Sequence, residues 1–496
     1  MSKNNQYTIL PFNFKLFDND SVLLVNDTGD YYFLKLADFD NLLGYSLDKN
    51  SNIYQDLDSR HLVADSDIDL TIDLLATKYR SIKSFLNNFT SLHMMVITLR
   101  CNHKCSYCQV TSELAEAYKY DMNPDTAKKI VDYIFCSPSS NVKIEFQGGE
   151  PLLNWKTIVA TVDHAETLNK THKKSLEFVI CTNLTLIDEE KLNFINDHNI
   201  AISTSLDGNK FLHDKNRVLR SGESSYDLIM KKLDLARKML THDKLSPLMT
   251  TTIDNIDELH IVVDEYLKLG FDGIFLRALN PYGLASKYAE DLGYPIKKFV
   301  SAFEKALNYI IEINLKGTRF VEYYTALLLT RILTPFGTGF VDLQSPSGAG
   351  ISGTIYDFNG DVYPADEARM LARMGDKHFL MGNVLKDRYI DIFNGRVISE
   401  IVEKSCLDTI PGCATCVYKA YCGADPIRNY LETKDIVGHR PSSDFCKKHM
   451  GLFDIIFKKL KNNDEKEMNV FWSWITHRDI REIECENIPG NSPEYR

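Results

Sequence analysis

Apolar and polar positions change rhythm several times along this chain. In the first 85 residues the runs FNFKLF, SVLLVND and YYFLKL are short and broken by turn residues such as TGD. That alternation predicts a β-meander. LADFDNLLGYSL and IDLLATKYRSIKSFLNNF then space their apolar residues as helices do. From His93 the pattern becomes strand then helix: MMVITL, VKIEFQ, LEFVICT, IAISTSL, LMTTTI and GIFLRAL read as buried strands. Stretches such as DTAKKIVDYIF and YDLIMKKLDLARKML fall between them. Six strands alternating with helices predict a parallel sheet, an α/β fold of the partial (β/α)6 barrel type. A mainly helical bridge follows, then a Gly/Ser-rich stretch and TIYDFNGDVYPAD, a hairpin turning at Asn359-Gly360. The expected units are 1–88, 89–285, 286–345, 346–450 and a helix with a polar, Pro-containing tail over 451–496.

At 496 residues the chain has room for several cores. No apolar run reaches the roughly 18 to 20 residues of a membrane span. The opening MSKNNQYTIL lacks a signal-peptide pattern, so a cytoplasmic protein away from the membrane is expected. A net charge of −11 argues against non-specific nucleic-acid binding, which needs a basic surface. Eleven cysteines in a reducing compartment point to metal or redox chemistry. Cys136, Cys181 and Cys485 stand alone and are expected to be small buried hydrophobes.

CNHKCSYC places Cys101, Cys105 and Cys108 just after the strand MMVITL, where parallel sheets bind ligands. Three thiolates can hold three irons of a [4Fe–4S] cluster and leave the fourth open. An open position marks a catalytic rather than a structural metal site. The spacing also admits a zinc site completed by His93 or His103. QGGEP ends the next strand; Gly148 and Gly149 let the backbone approach a ligand, and Glu150 can accept from an ammonium group. Cys413, Cys416 and Cys422, with Cys446 further on, supply four thiolates, enough for zinc or a closed [4Fe–4S] cluster.

CNHKCSYC, with Asn102 and Tyr107 matching the common CNxxCxYC form, resembles the signature of the radical S-adenosylmethionine (SAM) superfamily. The resemblance implies that Cys101, Cys105 and Cys108 bind the catalytic cluster. Its open iron would chelate SAM, which is cleaved to a 5′-deoxyadenosyl radical. Tyr107, Gly148, Gly149, Glu150, Ser205 and Arg217 would contact the cofactor, Glu150 at the SAM amino group and Arg217 at its carboxylate. Asp207 would lie near the mouth of the site.

PGCATCVYKAYCGADP resembles the SPASM domain of peptide-modifying radical SAM enzymes. Two departures matter: Ala365 and Pro426 stand where a first auxiliary cluster would take cysteines, and no cysteine precedes the hairpin. One auxiliary [4Fe–4S] cluster is therefore expected, on Cys413, Cys416, Cys422 and Cys446. Cys406 is left over, as a substitute ligand or a buried thiol. Asp366, beside Ala365, matches an acidic residue that serves related maturases as proton acceptor.

The first 88 residues resemble a PqqD-like peptide-recognition module, which binds leader peptides by strand addition; a structural cap on the barrel is the plainer alternative. With LPFNFKLFDND at its start, the whole chain looks most like the maturase of the His-Xaa-Ser peptide system. That implies a ribosomal precursor peptide as substrate and a flavodoxin- or ferredoxin-type reductant. A sulfatase or quinone-enzyme maturase is the nearest alternative. A non-catalytic iron–sulfur or zinc protein that binds a partner is the alternative of another class.

Overall fold

A computed structural model describes residues 7–65, 68–110 and 112–486. The polar, Pro-containing tail expected at the end lies outside the described residues from 487 onward. In the first unit, β1 (Thr8–Ile9) pairs with β5 (Val63–Ala64), and β2 (Phe12–Leu16), β3 (Ser21–Asn26) and β4 (Tyr31–Lys35) form the expected antiparallel meander. Every residue of β3 is buried. Val22 and Leu24 face a local core with Phe39 and Leu57, while Leu23 and Val25 join the main core. A strand covered on both faces shows an unbroken apolar run rather than alternation. The module docks on the C-terminal part of the chain. Tyr421 Oη donates to Gly29 O at 2.7 Å, Tyr79 Oη to Asp408 at 2.9 Å, and Tyr31 packs edge-on against Phe457.

The central sheet contains β6 (Leu92–Thr98), β7 (Asn141–Gly148), β8 (Ser175–Thr182), β9 (Ala201–Ser205) and β10 (Leu245–Leu248), hydrogen-bonded in that order and all parallel. Two expected strands come out differently. In the stretch containing LMTTTI the strand lies earlier, at β10, and Thr251 and Thr252 leave the sheet to bond Arg277 O and Asn255 Oδ1. GIFLRAL contributes only β11 (Gly273–Ile274), paired with β12 (Val321–Glu322) and not with β10. The fully buried carboxylate of Glu322 accepts Leu276 N–H, which holds this stretch against the helical bridge.

The sixth parallel strand is instead β13 (Gly353–Tyr356), which joins the opposite edge beside β6. β13 and β14 (Asp361–Tyr363) form the expected hairpin, with Gly360 at φ +86°, and β15 (Gly382–Asn383) follows as the outer edge. The architecture is thus a mixed α/β fold built on a partial barrel of parallel strands, closed on one side by the C-terminal hairpin.

Helices Ile296–Leu315 and Asp444–Asn462 pack against each other and cover the far side. The boundary expected between 450 and 451 falls inside the second of these helices. It starts at a Ser443 cap whose hydroxyl accepts Cys446 N–H, so Cys446 rides on the first turn of a long apolar-faced helix. Among the described residues no helix is long and apolar enough to cross a membrane.

Candidate active site

The loop after β6 is pinned from several sides. Arg100 closes a two-bond ion pair with Asp121, at 2.7 and 2.8 Å, and Cys101 N–H donates to Glu113 O. Lys104 and Ser106 N–H groups bond the carbonyls of Val218 and Asn216. This holds Cys101, Cys105 and Cys108 on the wall of one cavity of about 440 Å3, which runs from Leu92 at the start of β6 to the thiols beyond its end. All three are free thiols. Burial pushes Cys105 up to about 12 and Cys101 higher still. Both keep their protons at neutral pH until a metal displaces them.

His93 cannot complete a zinc site here. It sits near the start of β6, five residues and about 17 Å before Thr98, fully buried against the Tyr356 hydroxyl. His103 does line the cavity, but its Nδ1 is taken up by Asn183 and Asn102. Among the described residues no group of three His, Cys, Asp or Glu side chains converges as a single ion requires. Thiols spread around a roomy cavity suit a cluster that distributes them over several irons.

The cavity wall beside the cysteine loop is built from strand ends. A Cβ on Gly149 would lie 2.2 Å from Arg100 O, and one on Gly148 would lie 2.0 Å from Thr98 O. Both glycines line the cavity because only hydrogen fits between them and the cysteine loop. Glu150 is placed differently from the expectation. Its side chain is fully buried, and its oxygens accept from Leu152 N–H, Asn183 N–H and the Thr182 hydroxyl. It therefore positions the CTN loop rather than reaching the cavity.

Ser205 and Arg217 line the same cavity. Asp207 lies beneath them, not at the mouth. Fully buried, it accepts from the Tyr107 hydroxyl (2.6 Å), Arg217 Nε (3.1 Å) and Thr250 N–H (3.2 Å). Tyr107 also stacks under the Arg217 guanidinium at 5.3 Å. Arg217 is thus fixed at its Nε side, leaving its outer nitrogens toward the cavity.

Cys181, expected to be a small buried hydrophobe, instead faces the cavity and donates to Glu145 at 3.2 Å.

An acidic wall faces the strands. Asp366 and Glu367 open the helix Asp366–Arg373 directly after the hairpin. Asp366 is engaged by the buried Arg369, whose Nε lies 2.8 Å away. Glu367 has no such partner among the described residues. Burial, then the charges of Asp425, Asp342 and Asp366, push its carboxyl up to about 8. Glu367, Asp342, Arg277 and Leu248 also line a second chamber of about 300 Å3, walled by Phe275, Phe299, Tyr324 and Phe340. Nothing in the sequence pattern marked this chamber, because its lining comes from seven separate segments.

Cys413, Cys416, Cys422 and Cys446 meet in a separate cavity with apolar walls of Leu407, Ile410, Phe445 and Phe453. All four thiols are free, and burial pushes Cys413 up to about 11. Cys406 stands outside this cavity, its thiol directed at Asp408. Pro426 begins the helix Pro426–Thr433, which Asp425 caps. Four thiols lining one cavity and shielded by apolar side chains fit a closed cluster in kind.

Comparison with known proteins gives the class to which this arrangement belongs. Residues 95–265 match the model of the radical SAM superfamily. The chain carries a radical SAM domain and is an enzyme, and that domain implies a [4Fe–4S] cluster and SAM. The cysteine-type anaerobic sulfatase-maturating enzyme of Clostridium perfringens (strain 13 / Type A) is 23% identical over 73% of this chain and 95% of its own length. Native anSMEcpe with bound AdoMet superposes with a TM-score of 0.62 at 20% identity, over 75% of this chain and 98% of that one. SuiB of Streptococcus suis, bound to precursor peptide SuiA, gives 0.52 at 15% identity over 89% and 100%. Two other curated relatives are matched over less than half of their own length, 43% and 45%.

Proposed function

We propose that the protein is a SPASM-type maturase that modifies a ribosomally made peptide, of the His-Xaa-Ser type suggested by LPFNFKLFDND and PGCATCVYKAYCGADP. The observation that carries this reading is the cavity holding Cys101, Cys105 and Cys108, joined to an aromatic-walled second chamber large enough for a peptide side chain. Sulfatase-maturating enzymes and a peptide-bound SuiB among the similar proteins support a polypeptide substrate.

When bound, the cluster and SAM together supply the 5′-deoxyadenosyl radical; the chain's residues bind, orient and shield. Arg217, held by Asp207 and Tyr107, offers its free guanidinium nitrogens to the SAM carboxylate. Gly148 and Gly149 would let main-chain groups reach the SAM amino end, and Ser205, on the same cavity wall, would lie near its ribose or carboxylate. Met94, Val341 and Met370 keep water from the same space. Asp366 serves best as a partner that holds Arg369. Glu367, unpaired and facing both chambers, is the group to accept a substrate proton. The N-terminal meander leaves Phe14 and Leu16 of β2 exposed, 57% and 58%, beside a strand edge where a leader peptide can add.

Sulfatase maturation is the second reading, favoured by the matched length of the clostridial enzymes. Anaerobic reconstitution with iron, sulfide and SAM tests the class: reductant-dependent release of 5′-deoxyadenosine is expected, and its absence overturns the enzyme reading. Co-expression with a His-Xaa-Ser precursor, then mass spectrometry, tests the substrate; loss of hydrogens from the peptide is expected. An unchanged peptide, beside a sulfatase-derived peptide that is oxidised, reverses the assignment.

A further inference from the structure

One cationic side chain is bonded to a sulfur of the second cysteine set. Arg440 Nε and Nη2 lie 3.4 and 3.3 Å from Cys446 Sγ, and Nη1 donates to the carbonyl of Gly412. Gly412 precedes Cys413, whereas Cys446 stands on the helix Asp444–Asn462. The planar fork thus ties together the two ends of the ligand set. Gly412 has φ +75°, and a Cβ there would already sit 3.3 Å from Arg440 Nη1, so glycine supplies both the turn and the room. A second guanidinium, Arg331, lines a small void with Cys422, and its buried Nε has no hydrogen-bond partner.

We propose that Arg440 tunes the auxiliary cluster: bonded to Cys446 and anchored by Gly412, its guanidinium holds the cluster's reduction potential up. The proposal rests on the reading that Cys413, Cys416, Cys422 and Cys446 hold a [4Fe–4S] cluster. Reduction adds one electron and a negative charge to that cluster. A fixed positive charge with two N–H donors on a ligand sulfur favours the reduced form, through the hydrogen-bond and charge effects that set such potentials. The guanidinium keeps its charge at every working pH, so the couple moves one electron and no proton. A raised potential suits the cluster to receive electrons, whereas the open cluster on Cys101, Cys105 and Cys108 has no guanidinium bonded to its sulfurs among the described residues.

The full chain with C101A, C105A and C108A isolates the auxiliary signal. It is reconstituted anaerobically and titrated with dithionite and mediators under electron paramagnetic resonance, alone and with R440M or R440Q added. Gln keeps a donor at similar reach without the charge. Both variants are expected to shift the one-electron equilibrium at least tenfold toward the oxidised form, about 59 mV lower. A variant that holds four irons at the parent potential overturns the proposal. If R440M loses its iron, R440Q decides. Loss from both makes Arg440 a strap that holds the site together and overturns tuning as well. A parent chain that takes up no four-iron cluster defeats the auxiliary-site reading itself, and the role of Arg440 with it.

Discussion

Glu150 and Glu367 show how one residue type takes opposite roles by position. Glu150, which a motif reading sends to the SAM amino group, gives its oxygens to two backbone N–H groups and a hydroxyl. Replacing it with Gln turns an NH2 toward those donors. E150Q is expected to lower folding stability by about 1 to 3 kcal/mol, read as a drop in thermal midpoint. Loss of SAM binding at unchanged stability would return Glu150 to the cofactor.

Glu367 is the reverse case. With its carboxyl raised to about 8, mainly by burial and then by Asp425, Asp342 and Asp366, it ionises late. A step needing its carboxylate therefore accelerates as pH rises through about 8, and E367Q is expected to flatten that rise and slow peptide modification by about 100-fold or more. D366N is expected to keep the profile; a profile lost in D366N and kept in E367Q would exchange their roles. The linkage has the opposite slope. The folded state holds this proton more tightly than the unfolded chain, so its contribution to stability falls as pH climbs from about 4.5 toward 8.

At the scale of elements, the loop after β6 and the turn after β7 are built against each other. Gly149 allows its backbone N–H to reach Thr98 O at 2.8 Å, and Glu150 N–H to reach Arg100 O at 2.7 Å. G149A drives a methyl into Arg100 O, so it is expected to abolish SAM cleavage and iron retention at the first site, measured by 5′-deoxyadenosine release and iron content. Both strands and both glycines were legible from alternation and motif order. The two-residue β11 and the move of β13 beside β6 were not. Period-two apolar runs announce that a strand is buried, but not which edge receives it. Here a buried Glu322 holds GIFL against the bridge, and the hairpin takes the free edge of β6.

For the whole molecule, the proposed auxiliary cluster beside the radical SAM cluster predicts about eight irons per chain; about twelve would require a third ligand set and overturn the proposal. The N-terminal module rests on the auxiliary region through Tyr421–Gly29 and Tyr79–Asp408 rather than standing apart. F14D, on the exposed strand edge, is expected to weaken precursor binding at least tenfold, by fluorescence anisotropy, without changing SAM cleavage. Equal binding would leave the module a structural cap.

The local order of residues by itself determined the chemistry: three thiols after a strand, two glycines after the next, and four thiols near the end. Spacing along a chain is enough to specify ligands that neighbouring residues carry. Tertiary structure alone decided which carboxylate is free, that Cys181 faces the cavity, and that Cys406 stands outside the second set. It also joined Arg440 to Cys446 and Gly412, and built a second chamber from seven segments. Burial, partner and charge are properties of what packs around a group, and the packing brings together residues hundreds of positions apart.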